Sequence, residues 1–167
     1  MRFATKAARV RSPRPNPASR TVVIANRSAP KATVVPILVY EDVGAALAFL
    51  TRAFGFKERL RAEHGGSISH AQMDVGECSI MMGKQGGPFR APHDSSTVSQ
   101  YATVHVDKVD EHFSRAKAAG ATILKEPQDM RFGVRQYTAK DIGGHWWTFS
   151  QNIRDVAPAE WGAKVAE

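Results

Sequence analysis

The chain has 167 residues, 43% hydrophobic, 8% aromatic and 23% charged, a composition that excludes collagen-like, coiled-coil and wholly disordered proteins and gives enough length for a real core. No apolar run approaches the ~18 residues of a membrane span, so no membrane partner is expected. The single cysteine, Cys78, excludes an internal disulfide and a cysteine-built zinc site, and a reducing, cytoplasmic setting is expected.

The net charge of +7 is unevenly placed. Arg2, Lys6, Arg9, Arg11, Arg14, Arg20, Arg27 and Lys31 precede the first acid, Glu41, so the start of the chain carries +8 and the remainder −1. A nucleic-acid-binding domain places its positive charge on structured elements; here no nucleic-acid partner is expected for the folded part. Residues 1–32 hold Pro13, Pro15, Pro17 and Pro30 among Arg, Ser, Ala and Asn, too little apolar material to offset the entropy of ordering, and read as a disordered basic extension. An Arg-rich, acid-free start also suits an organellar transit peptide or a polyanion-binding arm.

From residue 33 the pattern becomes regular. Val34–Tyr40 is β-branched and apolar, a buried strand. Asp42 follows as an N-cap, then Val43, Ala46, Leu47, Leu50, Ala53 and Phe54 at helical spacing, then Gly55 as the stop. Phe56–Ala62, Ile68–Val75 and Cys78–Met82 are three further strands, turned at Gly65-Gly66 and Gly76. A Gly-, Pro-, Ser- and Asp-rich linker occupies residues 87–99.

The order then repeats. Tyr101–Val106 is a strand, Asp107 an N-cap, Val109, Phe113, Ala116 and Ala119 an apolar helix face, and Gly120 the stop. Ala121–Glu126, Val134–Ala139 and His145–Ser150 are strands turned at Gly133 and Gly143-Gly144. Each stop follows its cap by 13 positions, and the two units are offset by 65. The expectation is an α+β fold of two tandem βαβββ modules, residues 33–86 and 100–152, forming a curved mixed sheet around a central cleft, with a tail over 153–167. One such module leaves an apolar sheet face uncovered, which a second copy can close.

Tandem βαβββ units with these junctions resemble the vicinal-oxygen-chelate superfamily, which includes glyoxalase I, bleomycin- and fosfomycin-resistance proteins and extradiol dioxygenases. The resemblance rests on Leu38–Asp42 entering the first helix and Ala53-Phe54-Gly55-Phe56 ending it. In the second half it rests on Val104–Asp107, Ala118–Ala121 and Asp141-Ile142-Gly143-Gly144-His145, and it covers roughly residues 33–162. It implies a homodimer. Metal-dependent members carry ligands on the first and last strands of each half. Those positions fall here on Val35 or Pro36, Met81, Tyr101 and Thr148, none of them a divalent-metal ligand, so no metal and no other cofactor is expected.

No catalytic set emerges. There is no Gly-x-Ser-x-Gly elbow and no phosphate-binding loop, and Cys78 in its apolar context reads as a buried thiol. His112 is expected on the helix face away from Phe113, and Asp74 in solvent. What remains is a cleft lined by His70, Gln72, Tyr101, Thr103, His105, Arg135, Tyr137, Trp146 and Thr148, suited to a flat or amphipathic small organic ligand with Arg135 receiving an anion. The function read from this is small-molecule binding in the bleomycin-resistance manner. The alternative is a lyase, isomerase or dioxygenase of the same superfamily with a metal relocated to His70 and His105.

Overall fold

The computed structural model describes residues 24–92 and 96–166. The first module comprises β1 (Ile37–Tyr40), α1 (Val43–Phe54), β2 (Lys57–His64), β3 (Ser67–Val75) and β4 (Cys78–Lys84). The second comprises β5 (Ala102–His105), α2 (Val109–Ala118), β6 (Thr122–Asp129), β7 (Val134–Lys140) and β8 (Trp146–Asn152). Each forms a four-stranded mixed sheet, ordered β1-β4-β3-β2 and β5-β8-β7-β6, with one parallel pair at its inner edge. The expected α+β fold of two βαβββ modules is present, built as two sheets rather than one continuous one.

Helix α1 forms where its spacing dictates. The Asp42 carboxylate accepts a hydrogen bond from the Ala45 amide at 2.9 Å, and Gly55 closes the helix at φ 74°, a left-handed conformation that glycine adopts without a Cβ penalty. The repeat is less faithful at α2. Asp107 does not cap it; instead Gln151 on β8 reaches across and accepts from the Val109 amide at 3.0 Å. Its buried face is Val109, His112 and Ala116, with Phe113 and Ala119 packed at the margin. His112 is thus a core residue, contrary to expectation.

Both helices lie on the same side of the sheets and pack on each other. The core they share gathers Leu47, Leu50, Phe54 and Phe56 with Met73, Met82, Tyr137, Trp147 and Phe149. Phe54 touches the rings of Phe49, Phe56, Trp147 and Phe149, so the end of one helix plugs the other module. Because strand side chains alternate, fixing this helix side fixes the opposite faces as well. Those faces, turned away from the helices, are the concave side that the curved βαβββ modules are expected to present.

At the C-terminal end, a 3-10 turn over Pro158–Trp161 brings Trp161 against Phe132. Residues 24–32, at the end of the segment read as disordered, contain no helix or strand, yet they lie against the first sheet. The remainder of that reading, residues 1–23, falls outside the described residues, as does His93.

Candidate functional site

The two modules meet at β1 and the β7–β8 turn. Asp141, 4% exposed, accepts four hydrogen bonds. Oδ2 takes the Tyr40 hydroxyl at 2.8 Å and the Trp147 indole N–H at 3.0 Å, while Oδ1 takes the amides of Gly143 and His145 at 2.9 and 3.0 Å. A buried carboxylate is tolerated because each oxygen is answered by donors. Its charge, together with burial as the larger cause, drives the Tyr40 hydroxyl well above its ordinary pKa. His145 Nε2 donates to the Val39 carbonyl at 2.9 Å while its ring lies edge-on to Tyr40. This junction is structural; the sequence marks Asp141 only as the start of the Asp141–His145 turn, not as a buried acceptor for Tyr40 of the other module.

A second tie runs along the helices. His112 Nε2 lies 3.1 Å from the Phe54 carbonyl, and Nδ1 lies 2.6 Å from the Tyr137 hydroxyl. A neutral ring meets both partners by donating from Nε2 and accepting at Nδ1. Burial lowers the His112 pKa to about 4, against the pull of the Phe54 carbonyl and with the help of Arg115. The same burial raises the Tyr137 hydroxyl.

Register sorts the expected ligand residues by face. Thr103 pairs with Thr148 and Thr148 with Thr138, so all three share the concave side. One step along lie Tyr101, 66% exposed, and Trp146. Tyr101, Trp146 and Thr148 line a half-open cavity of about 230 Å³ together with Val98, Lys125, Gln136 and Thr138. The Thr138 and Thr148 hydroxyls are 3.1 Å apart at its floor. His105 shares the face but sits two register steps beyond Tyr101, beside Ser150 and Asn152. Lys125 and Thr138 escaped the sequence reading, although the hairpin pairing opposite Thr148 would have identified them.

Tyr137 and Arg135 lie on the other side. Tyr137 is fully buried against His112 and Phe149. Arg135 makes a fork to Asp110 of α2 through Nε and Nη2 at 3.0 Å and reaches Asp129 at 2.8 Å through Nη1. Alternation from Thr138 requires this placement, and Arg135 is an element tie rather than an anion seat.

On the first sheet Ile37, Met81, Gln72 and Leu60 form one cross-strand row, with Val39, Gly83 and His70 in the next. His70 and Gln72 are therefore concave-facing and adjacent, their Nε2 atoms 3.5 Å apart. They do not join the Tyr101–Trp146 cavity, since neither lines it. A separate cavity of about 300 Å³ lies between the modules, bounded by Ile37, Tyr101, His145 and Trp146.

The chemistry of the donor set speaks to a metal. The concave positions on the first and last strands are Ile37, Met81, Thr103 and Thr148, and these side chains do not fit a divalent ion's need for carboxylate or imidazole. Among the described residues no three His, Cys, Asp or Glu side chains come together, around His70 and His105 included. Cys78 is exposed at the start of β4, not buried as expected. Asp74 is not simply solvated; it accepts from the Ser79 hydroxyl at 2.9 Å. No helix among the described residues is long and apolar enough to cross a membrane.

Comparison with known proteins agrees with this architecture. Residues 32–149 match the family model for the Glyoxalase/Bleomycin resistance protein/Dioxygenase superfamily. An uncharacterized protein of Mycobacterium tuberculosis, Rv0887c, is 31% identical over 129 residues, 72% of this chain and 75% of its own. The crystal structure of TioX from Micromonospora sp. ML1 is 36% identical, with a TM-score of 0.60 over 75% of this chain and all of that one. FosX from Listeria monocytogenes, a fosfomycin resistance protein solved with Mn(II) and sulfate, shares the fold at 17% identity and a TM-score of 0.56, covering 73% of this chain and 93% of its own.

Proposed function

We propose that this chain, which belongs to the Glyoxalase/Bleomycin resistance protein/Dioxygenase superfamily, binds a small amphipathic organic molecule on the concave faces of its modules through side chains alone. One observation carries the reading. Tyr101, Trp146, Thr138, Thr148 and Lys125 surround one half-open cavity on the side of the second sheet that the core does not use. Two aromatic side chains offer area to a flat ring, the threonine hydroxyls orient a polar group, and the Lys125 ammonium at the rim favours an anionic substituent. Binding by mass action needs nothing more than these groups. The first-sheet pair His70 and Gln72, with Thr103 and His105, extends the same surface.

The test uses 8-anilinonaphthalene-1-sulfonate, a flat anionic probe, with the full chain. Trp146→Ala or Tyr101→Ala is expected to weaken binding by roughly tenfold, the scale of one lost aromatic anchor. Lys125→Gln should weaken it a few-fold and reduce its salt dependence. Unchanged affinity in all three variants with unaltered melting would remove the proposal. Stoichiometric metal that EDTA strips with loss of probe binding would favour the metal-dependent reading instead. The same proposal includes a homodimer, as the family resemblance implies; a monomer mass by sedimentation would exclude it.

A further inference from the structure

The concave face of the first sheet is occupied by the protein's own chain. Residues 26–29 form a turn in which Asn26 Oδ1 accepts from the Ser28 amide at 2.9 Å and the Asn26 carbonyl accepts from the Ala29 amide at 3.2 Å. Three successive carbonyl oxygens of this turn point at one patch of side chains. Arg59 Nη2 donates to the Arg27 and Ala29 carbonyls at 2.9 and 3.0 Å, and Gln72 Nε2 donates to the Ser28 carbonyl at 3.0 Å. Arg59 is there because of a register shift in β2. Glu58 pairs with Met73 and Leu60 with Gln72, leaving Arg59 as the extra residue, and such bulges re-aim a side chain.

The fit is incomplete in a specific way. Arg59 Nε and Gln72 Oε1 are both buried with no hydrogen-bond partner, and Gln72 as a whole is only 4% exposed. Buried polar atoms of that kind are few in native proteins and call for a partner. The turn supplies acceptors to Nη2 of the guanidinium and none to Nε. A carboxylate would engage Nε and Nη2 together, the bidentate arrangement that a guanidinium fork favours. A hydroxyl next to that carboxylate would donate to Gln72 Oε1. Leu60, Met81 and Ile37 on the same row offer an apolar wall.

We infer that Arg59 and Gln72 form a seat for a small hydroxycarboxylic acid with an apolar group, and that the turn at residues 26–29 is a strap filling this seat with its own carbonyls until a ligand displaces it. The inference rests on the proposed function only in taking the concave faces as the ligand side. Ligand affinity then includes the cost of opening the strap, so loosening the strap strengthens binding.

Mandelate, which carries a carboxylate, a hydroxyl and a ring, serves as the probe with the full chain. Titration followed by NMR should shift the Arg59 Nε–H signal and speed amide exchange at Ser28 and Ala29. Arg59→Gln should weaken mandelate binding by at least about tenfold, through loss of the bidentate charged contact. Asn26→Ala, which removes the exposed hydrogen bond that holds the turn, should tighten it by about threefold. A strap that merely anchors the chain gives the reverse, with mandelate affinity unchanged or raised in Arg59→Gln and not raised in Asn26→Ala. That result, or an Arg59 Nε–H signal that mandelate leaves in place, overturns the inference. These readouts sit on the first sheet, so they succeed or fail separately from Trp146 and the sulfonate probe.

Discussion

The ordinary pKa of a histidine is about 6.5, and burial holds His112 near 4. Between these values the unfolded chain binds a proton that the folded chain refuses. Stability is therefore full above pH 6.5 and declines as the pH falls toward 4. Urea denaturation midpoints measured from pH 8 to pH 4 should show this fall, and His112→Phe should flatten it. Asp141 poses the complementary case, a buried acceptor facing four donors. Asp141→Asn turns one of its two acceptor oxygens into a donor facing two donors, and should cost about 2–4 kcal/mol in denaturant unfolding. Tyr40→Phe removes one donor only and should cost about 1 kcal/mol. Composition could not reveal either residue's role, because a histidine on a helix and an aspartate before Gly-Gly have the same identity whether buried or solvated.

At the scale of elements, two helices that read alike are started differently. Asp42 caps α1 itself, whereas α2 borrows the side chain of Gln151. Asp42→Ala should lose about 1 kcal/mol, the usual worth of a cap. Asp107→Ala should fall within about 0.5 kcal/mol of the parent, and Gln151→Ala should match the Asp42 loss. Thermal melts of the three variants decide it; a large loss for Asp107→Ala would contradict the cap assignment. The strands were legible because alternation and turn glycines mark them locally. The faces were less so: Arg135 and Tyr137 were expected beside Thr148, but one residue's difference in register places them against α2 and the core.

Across the whole molecule, the modules are joined by polar ties at both ends of a common aromatic core. Tyr40–Asp141 and His145–Val39 lie at the sheet junction, and His112 and Arg115 hold the last carbonyls of α1, Ala53 and Phe54. Cationic and N–H donors suit that helix end, where the dipole is negative. Gly143 sits against the Tyr40 ring, which an added Cβ would enter. Gly143→Ala should therefore destabilise by about 1–3 kcal/mol, the cost of overpacking. All three tryptophans, Trp146, Trp147 and Trp161, belong to the second half, so their fluorescence follows that half while far-UV circular dichroism follows both. The two signals should fall together in the parent and in Gly143→Ala; a second, earlier transition in either would show the modules to be independent.

The tandem order of strands, helices and turns could be read from residues 33 to 152 alone, because caps, stops and periodicity are local properties of a chain. The same holds for the set Tyr101, Thr103, Trp146 and Thr148, whose shared face follows from alternation within two strands. Which side of each sheet meets the helices, the burial of His112 and Asp141, and the turn of residues 26–29 laid over Arg59 and Gln72 depend on contacts between residues far apart in the chain. Those contacts arise only when both modules pack, and no local spacing encodes them.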